Sequence, residues 1–456
     1  MSITIKPLTH QRQSLRFLKA RDLAFDMSDP GTGKTFVEIM DYAARRSAKE
    51  PPALVLAPKT LLQSAWGNDI EKFAPHLRYS IARAENRANA FAAEADIYLT
   101  NHDAVAALAK QPPSFWKKFR GGTLIVDEST AYKHATSQRS KAVAKIAQHF
   151  KTRRLLSGTP NPNGVCDLWH QVKILDDGQR LGKSFFHFRA SVCSPEQVGP
   201  LPQHVKWTDK AGAEEAVAAL LADITLRHKL EDCVDIPDNH HYDVPFHISG
   251  KHLAAYKELE RDSILLLKNN SVTAVNGAAL YNKLLQVASG AVYGDDEGYT
   301  LLDSTRYELV MDLVEARPHS VVFFLWKHQR DELVKQAQKR GLSYALIDGS
   351  VTRKGARERA VEEFQGGEHR VMFAHPRSAG HGLTLTRGTA TIWASPTPDL
   401  EFYQQGWKRI HRIGQSEKTE TIVVVAPGTR ETDVFASLQH KKLKMSTLLT
   451  LLKESH

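Results

Sequence analysis

The chain has 456 residues, 42% hydrophobic and 25% charged, with 61 Lys and Arg against 51 Asp and Glu for a formal net charge of +10. That length exceeds what one hydrophobic core organises, so two domains of roughly 200 residues each are expected, and no stretch approaches the roughly 20 apolar residues of a membrane-spanning helix. The opening MSITIKPLTHQRQ lacks the apolar core of a secretory signal, and the 3 cysteines, Cys166, Cys193 and Cys233, form no CxxC pair, so a reducing cytoplasm is the expected compartment. The basic excess suits a polyanionic partner, because neutralising phosphates releases condensed counterions.

Strand-like apolar runs alternate with helical stretches twice, which predicts two α/β lobes built of βαβ units with parallel sheets. In the first half these runs are LVLAP (54–58), DIYLT (96–100), TLIVDE (123–128) and RRLLSGTP (153–160). Residues 165–230 read as mainly helical, and CVDIPDNHHYDVP (233–245) carries the Pro and Asn of a connecting segment. The expected domains are therefore 1–230, a hinge at 231–245, and 246–456. The second half repeats the pattern with SVVFFLW (320–326), YALIDGS (344–350), HRVMFAHP (369–376), TATIWASP (389–396) and TIVVVAPG (421–428). From Thr432 onward, Val434, Leu438, Leu443, Leu448, Leu449 and Leu452 fall at helical spacing, as in an amphipathic helix packed on the body.

The polar residues that follow the strands are where chemistry is expected, since ligands of open α/β sheets bind at the carboxyl ends of the strands. The run Met27-Ser28-Asp29-Pro30-Gly31-Thr32-Gly33-Lys34-Thr35, followed by a helical stretch, has the physics of a phosphate cradle. Lys34 would reach the β- and γ-phosphates, and Thr35 would ligate Mg2+. The full pattern wants Gly at position 28, where this chain has Ser. Asp127 and Glu128 close an apolar strand, the arrangement in which one carboxylate holds the metal and the next orients or deprotonates the attacking water. Gln405, Arg409 and Arg412 are spaced to face one side of a helix, where arginines could meet the γ-phosphate across a cleft. His240, His241, His247 and His252 lack the Cys or carboxylate spacing of a zinc site, so no metal beyond Mg2+ is expected. Trp66, Trp116, Trp326 and Trp407 read as packing residues, with Trp326 and Trp407 as candidates for stacking on bases.

Taken in order, these segments resemble superfamily 2 helicase-like motors, specifically the Swi/Snf-type DNA translocases, over nearly the whole chain. Leu8-Thr9-His10-Gln11 resembles the adenine-reading Gln motif, DPGTGKT (29–35) motif I, Ala57-Pro58-Lys59 motif Ia and Thr100-Asn101-His102 motif Ib. DEST (127–130) resembles motif II and Ser157-Gly158-Thr159-Pro160 motif III. In the second half, Asp348-Gly349-Ser350 with Arg357 resembles a family signature, Gly380 to Thr386 motif V, and RIHRIGQ (409–415) motif VI, the most specific signal of all. LLQVASG (284–290) resembles a further family segment, read as structural. The compact length and AHPRSAGHGLTL (374–385) look most like the short phage and bacterial members. Departures are Ser129-Thr130, where DEAH or DEAD is common, and Thr384, where Asn is usual.

The resemblance implies two tandem RecA-like lobes with one ATP site in the cleft between them. ATP and Mg2+ would be the cofactors, held by Gln11, Pro30, Gly31, Thr32, Gly33, Lys34, Thr35, Asp127, Gly382 and Gln405. Lys34, Asp127, Glu128, Arg409 and Arg412 would carry the hydrolysis. Lys59, Thr60, Asn101, His102 and Thr384 would touch nucleic acid, mostly at phosphates, with Ser157 to Thr159 acting indirectly; such contacts give register without sequence specificity. The implied partner is DNA, duplex by preference, with forked or single-stranded DNA open, in the cytoplasm of a bacterium or phage-infected cell. Two alternatives share these residues: a strand-separating or annealing helicase on forked DNA, and a nucleotide-gated DNA-binding switch subunit.

Overall fold

Short runs rich in Val, Ile and Leu suit strands buried on both faces of a parallel sheet. A computed structural model of the chain describes residues 6–46, 50–197, 205–268, 274–294, 298–351, 355–379 and 383–454. The chain divides into two units, Met1–Pro195 with Trp207–Asp235 and Lys442–His456, and Glu196–Lys206 with Ile236–Lys441.

Among the described residues, the first unit holds a seven-stranded sheet. Its strands are β1 (Leu23–Asp26), β2 (Ala53–Ala57), β3 (Tyr79–Ala82), β4 (Ile97–Asn101), β5 (Thr123–Asp127), β6 (Thr152–Leu156) and β7 (Thr225–Leu226). They run in the order β3-β4-β2-β5-β6-β1-β7, every neighbouring pair parallel. All five residues of β2 and of β5 are buried, as helices on both faces require. Because β5, β6 and β1 are consecutive in the sheet, the loops that leave their carboxyl ends emerge side by side.

The second unit holds a six-stranded sheet of β8 (Asn239–Pro245), β9 (Ser320–Phe323), β10 (Tyr344–Ile347), β11 (Val371–Ala374), β12 (Ala390–Trp393) and β13 (Thr419–Val425). Its order is β8-β13-β12-β9-β11-β10, again all parallel. Val322, Leu333, Phe373, Ile392, Ile422 and Val424 belong to its core. The fully buried Arg306 crosses that core, donating to the carbonyls of Ala394 (2.9 Å) and Ala288 (3.1 Å) and to Glu431 Oε2 (2.8 Å).

The segment read as a connector is in its second half strand β8, paired with β13 in the register His241↔Thr421. It is an edge strand whose residues are mostly exposed, so it carries no apolar alternation for the sequence to display. The strands β1, β3 and β7 are likewise unmarked; β3 is a part-exposed edge strand and β7 is only two residues long. The region 165–230, read as mainly helical, mixes helices at Leu168–Asp176, Phe185–Val192 and Ala213–Leu221 with strands at Cys193–Gln197, Val205–Asp209 and Thr225–Leu226. Among the described residues no helix is long and apolar enough to cross a membrane.

The C-terminal helix spans Arg430–Glu454 and buries Val434, Leu438, Leu448, Leu449 and Leu452, whereas Leu443 is 67% exposed. Leu443 follows Leu438 by five residues, which turns it about 140° off the buried stripe; Met445 fills that stripe instead. Leu438→Ala should therefore lower the unfolding free energy by about 2–5 kcal/mol, and Leu443→Ala should change it by less than about 0.5 kcal/mol. Denaturant titration of the two variants reads both values, and an equal loss would contradict this packing.

Candidate functional site

The loop after β1 turns at glycines before entering α1 (Lys34–Arg45). Gly31 and Gly33 have φ of 92° and 86°, in the left-handed region that only glycine occupies without strain. A Cβ on Gly33 would stand 2.5 Å from Gln11 Nε2, so the same glycine also allows the Gln11 side chain to close over the loop. Position 28 needs no glycine, because the positive-φ residues other than Gly among the described ones are Glu128 and Asp177. Serine instead contributes bonds: Ser28 N donates to Asp26 Oδ1 (2.8 Å) and Ser28 Oγ accepts from His228 N (3.0 Å).

Asp29 is held from two sides. Arg227 Nη1 donates to Asp29 Oδ1 (2.9 Å) and to the Met27 carbonyl (2.8 Å), while Leu230 N donates to Asp29 Oδ2 (3.1 Å). The Lys34 ammonium lies back on the loop, donating to the carbonyls of Ser28 (2.6 Å) and Asp29 (3.0 Å). His10 Nε2 meets the Thr32 carbonyl at 2.8 Å, and Gln11 Oε1 accepts from Leu8 N (2.9 Å). Thr35 is half-buried in the first turn of α1.

Asp127 ends β5, and both of its carboxylate oxygens are engaged. The buried Trp66 indole donates to Oδ2 (2.9 Å), and Glu128 N donates to Oδ1 (3.0 Å). Trp66 belongs to a turn of π-helix, Leu62–Gly67, that follows Lys59 and Thr60; such turns concentrate at functional sites. Glu128 adopts φ 52°, ψ 56°, a conformation that costs a residue with a Cβ about 1–3 kcal/mol and persists only where the surroundings hold it. Those surroundings are visible. Ser129 Oγ donates to Gln171 Oε1 (2.7 Å), Thr130 Oγ1 meets Ser157 Oγ at 3.1 Å, and Ser157 N donates to the Asp26 carbonyl (3.1 Å). The residues that depart from DEAD or DEAH thus join the loop after β5 to those after β6 and β1. Gly158 completes the contact, since a Cβ there would meet Pro30 Cδ at 2.6 Å.

Of the residues expected to touch nucleic acid, Lys59, Thr60 and Thr384 are exposed. Asn101 is half-buried and donates to Asp103 (3.1 Å), and His102 is buried with Nδ1 2.8 Å from the Tyr132 hydroxyl.

In the second unit the helix expected to carry Gln405, Arg409 and Arg412 on one face, α2 (Leu400–Trp407), ends before both arginines. The Arg409 carbonyl, which a continuing helix would need, accepts instead from Leu385 N (2.9 Å). The arginines still converge: Arg412 Nη1 donates to the Leu383 carbonyl at 2.9 Å, and Arg409 Nη1 approaches the same oxygen at 3.5 Å. Gln415 ties this turn to the carbonyls of Thr386 (2.9 Å) and Gly388 (3.0 Å). Gln405 is buried and donates to Glu401 (3.3 Å), and Gly382 lies outside the described residues. Trp407 packs its edge on His241 with ring centres 5.0 Å apart, and only Trp326 of the two stacking candidates is half-exposed.

Sequence reasoning missed Trp66, Arg227, His228 and Gln171. Trp66 lies 61 residues from Asp127 and Arg227 lies 198 from Asp29, so no local spacing marks either pair.

Residues 10–289 match the model of the SNF2-related domain, and residues 305–414 match the helicase conserved C-terminal domain. Protein p41 of Acyrthosiphon pisum secondary endosymbiont phage 1 is 31% identical over 407 residues, covering 86% of this chain and 84% of that protein. The human DNA annealing helicase and endonuclease ZRANB3 is 26% identical, covering 98% of this chain but 41% of its own length. Among solved structures, the Sulfolobus solfataricus SWI2/SNF2 ATPase core in complex with dsDNA aligns with a TM-score of 0.46 at 21% identity, over 98% of this chain and 94% of that one. The chain spans most of the phage protein and less than half of the longer relative. With the first domain model covering more than half of its residues, the chain belongs to the SNF2-related family of helicase-type ATPases.

Proposed function

We propose that this chain is an ATP-driven motor that tracks along DNA, duplex by preference, in the cytoplasm of a bacterium or phage-infected cell; likeness to the phage protein supports that setting. The observation that carries the reading is a run of hydrogen bonds in the first unit, continued along the backbone of the loop from Thr130 back to Asp127. It runs from the phosphate loop through Ser157 and Thr130 to the strand end that holds Asp127, and from Asp127 through Trp66 to the segment after Lys59 and Thr60.

The loop fits a nucleotide's phosphates. Its left-handed glycines leave no Cβ over the cradle, the N-terminus of α1 faces it, and Lys34 needs only to leave two carbonyls to meet an anion. Pro30, Gly31, Thr32 and Gly33 would line the triphosphate, with Gln11 and His10 closing over Thr32. Thr35 and Asp127 offer the hard oxygen donors that Mg2+ prefers. Bound Mg-ATP supplies the phosphoanhydride whose hydrolysis drives motion. Glu128, aimed by its strained backbone, would take the proton of the attacking water. Arg409 and Arg412 are the proposed γ-phosphate arginines, supported by their shared hold on the Leu383 carbonyl beside Thr384. Lys59, Thr60, Asn101 and Thr384 would grip backbone phosphates, while buried His102 braces its loop through Tyr132.

Steady-state ATP hydrolysis tests the reading directly. Duplex DNA should stimulate turnover, and Lys34→Ala and Glu128→Gln should each lower it by about 10²-fold or more. Stimulation by single-stranded or forked DNA alone would replace duplex tracking with strand separation. Trp66→Phe keeps an aromatic side chain but removes the indole N–H that steadies Asp127, a bond to a charged group worth about 1.5–3 kcal/mol. It should raise the Mg2+ concentration for half-maximal hydrolysis and cut kcat roughly ten-fold; an unchanged Mg2+ titration would show that the bond is only structural.

A further inference from the structure

A cavity of about 360 Å³ opens at the carboxyl end of the second sheet, where the loops after β9, β11 and β12 meet the first turns of α2 and of the C-terminal helix. Its volume lies in the range of small-ligand sites, and its position is where open parallel sheets bind ligands. Trp326 and Phe402 supply its aromatic lining, Ser395 and Thr397 its hydroxyls, Arg377 its positive charge, and Glu431 a carboxylate.

Glu431 is only 1% exposed. Its Oε2 accepts from Arg306 (2.8 Å) and from Ala426 N (2.8 Å), but its Oε1 has no hydrogen-bond partner among the described residues. A buried carboxylate oxygen left unsatisfied is costly, and in a native fold it calls for a ligand or water to complete it. The hydroxyls add the opposite polarity. Ser395 Oγ accepts from Gln329 Nε2 (2.9 Å) and Thr397 Oγ1 accepts from Asp399 N (3.2 Å), so each retains its own proton to donate.

A ligand matching this set is flat, presents an N–H donor beside a ring acceptor, and carries an anion. Only one carboxylate oxygen lacks a partner, so the two-pronged grip that suits guanine is excluded. A basic side chain would meet Arg377 in the same lining, inside a chain of net charge +10.

We propose that this cavity receives one unstacked nucleobase bearing an exocyclic amine, cytosine or adenine. The amine would donate to Glu431 Oε1, the ring nitrogen would accept from Ser395 or Thr397, Trp326 would cover the ring face, and Arg377 would meet the nucleotide's phosphate. The motor would then hold single-stranded DNA in a base-selective way in addition to any duplex grip. This rests on the DNA reading above for the identity of the ligand alone.

The test is fluorescence anisotropy of dye-labelled oligodeoxycytidylate and oligothymidylate with the full chain, without ATP, alongside duplex-stimulated ATP hydrolysis in the same preparation. Oligodeoxycytidylate should bind tighter than oligothymidylate, and Trp326→Ala should weaken it roughly ten-fold. Glu431→Gln, checked for folding by thermal melting, should erase the preference while leaving oligothymidylate affinity unchanged. Equal affinity for the two oligonucleotides, or a preference that survives Trp326→Ala, overturns the proposal. Loss of duplex stimulation with the preference intact would instead overturn duplex tracking, so the two failures are distinguishable.

Discussion

Asp29 and Arg227 meet at 2.9 Å in the interior of the first unit, and the shape of the phosphate loop depends on that pair. The two-residue strand β7 makes it possible: its register on β1, Phe25↔Thr225 and Asp26↔Leu226, sets residue 227 beside residue 27 as both chains leave the sheet. One guanidinium nitrogen then holds the Met27 carbonyl and the Asp29 carboxylate together, which leaves the carbonyls of Ser28 and Asp29 turned toward Lys34. Removing either partner of such a buried pair strands a charge, at a cost of about 3–5 kcal/mol. The pair is thus a support for the loop that contacts no phosphate in the proposed role.

From that fixed loop the remaining chemistry is assembled through neighbours in the sheet. Because β1, β6 and β5 are adjacent, Asp26, Ser157 and Thr130 can be linked by consecutive hydrogen bonds, and the left-handed Glu128 is set in a surround that over-determines it. A shift of one loop would therefore cost a hydrogen bond to its neighbour. Such a linkage is what a motor needs if the state of the nucleotide is to reach the surface that carries Lys59 and Thr60, and Trp66 is the side chain that spans the step from Asp127 to that segment.

The central strands of both sheets were legible in the sequence because they are buried on both faces and so appear as continuous apolar runs. The loop around Gly33 and Lys34 and the acid pair at Asp127 were legible because their chemistry is local. What escaped notice was non-local or lacked apolar contrast. Strand β8 is an exposed edge full of His, Asn and Asp, and it reads as a linker until β13 is beside it. Trp66 and Arg227 look like ordinary packing and surface residues until folding brings in their carboxylates. α2 ends at Trp407, after which Arg409 N and Ile410 N bond three residues back and the Arg409 carbonyl accepts from Leu385 N, and nothing within RIHRIGQ announces it. Ser28, an apparent defect in the phosphate pattern, carries two hydrogen bonds that glycine could not both make.

Direct displacement of a third strand from a duplex tests most sharply whether the hydrolysis site drives tracking. A triplex-forming oligonucleotide placed along duplex DNA should be released by the chain when ATP is hydrolysed, and retained with a non-hydrolysable analogue. Vigorous DNA-stimulated hydrolysis with the third strand left in place would contradict the account, showing an ATPase that senses DNA without moving along it.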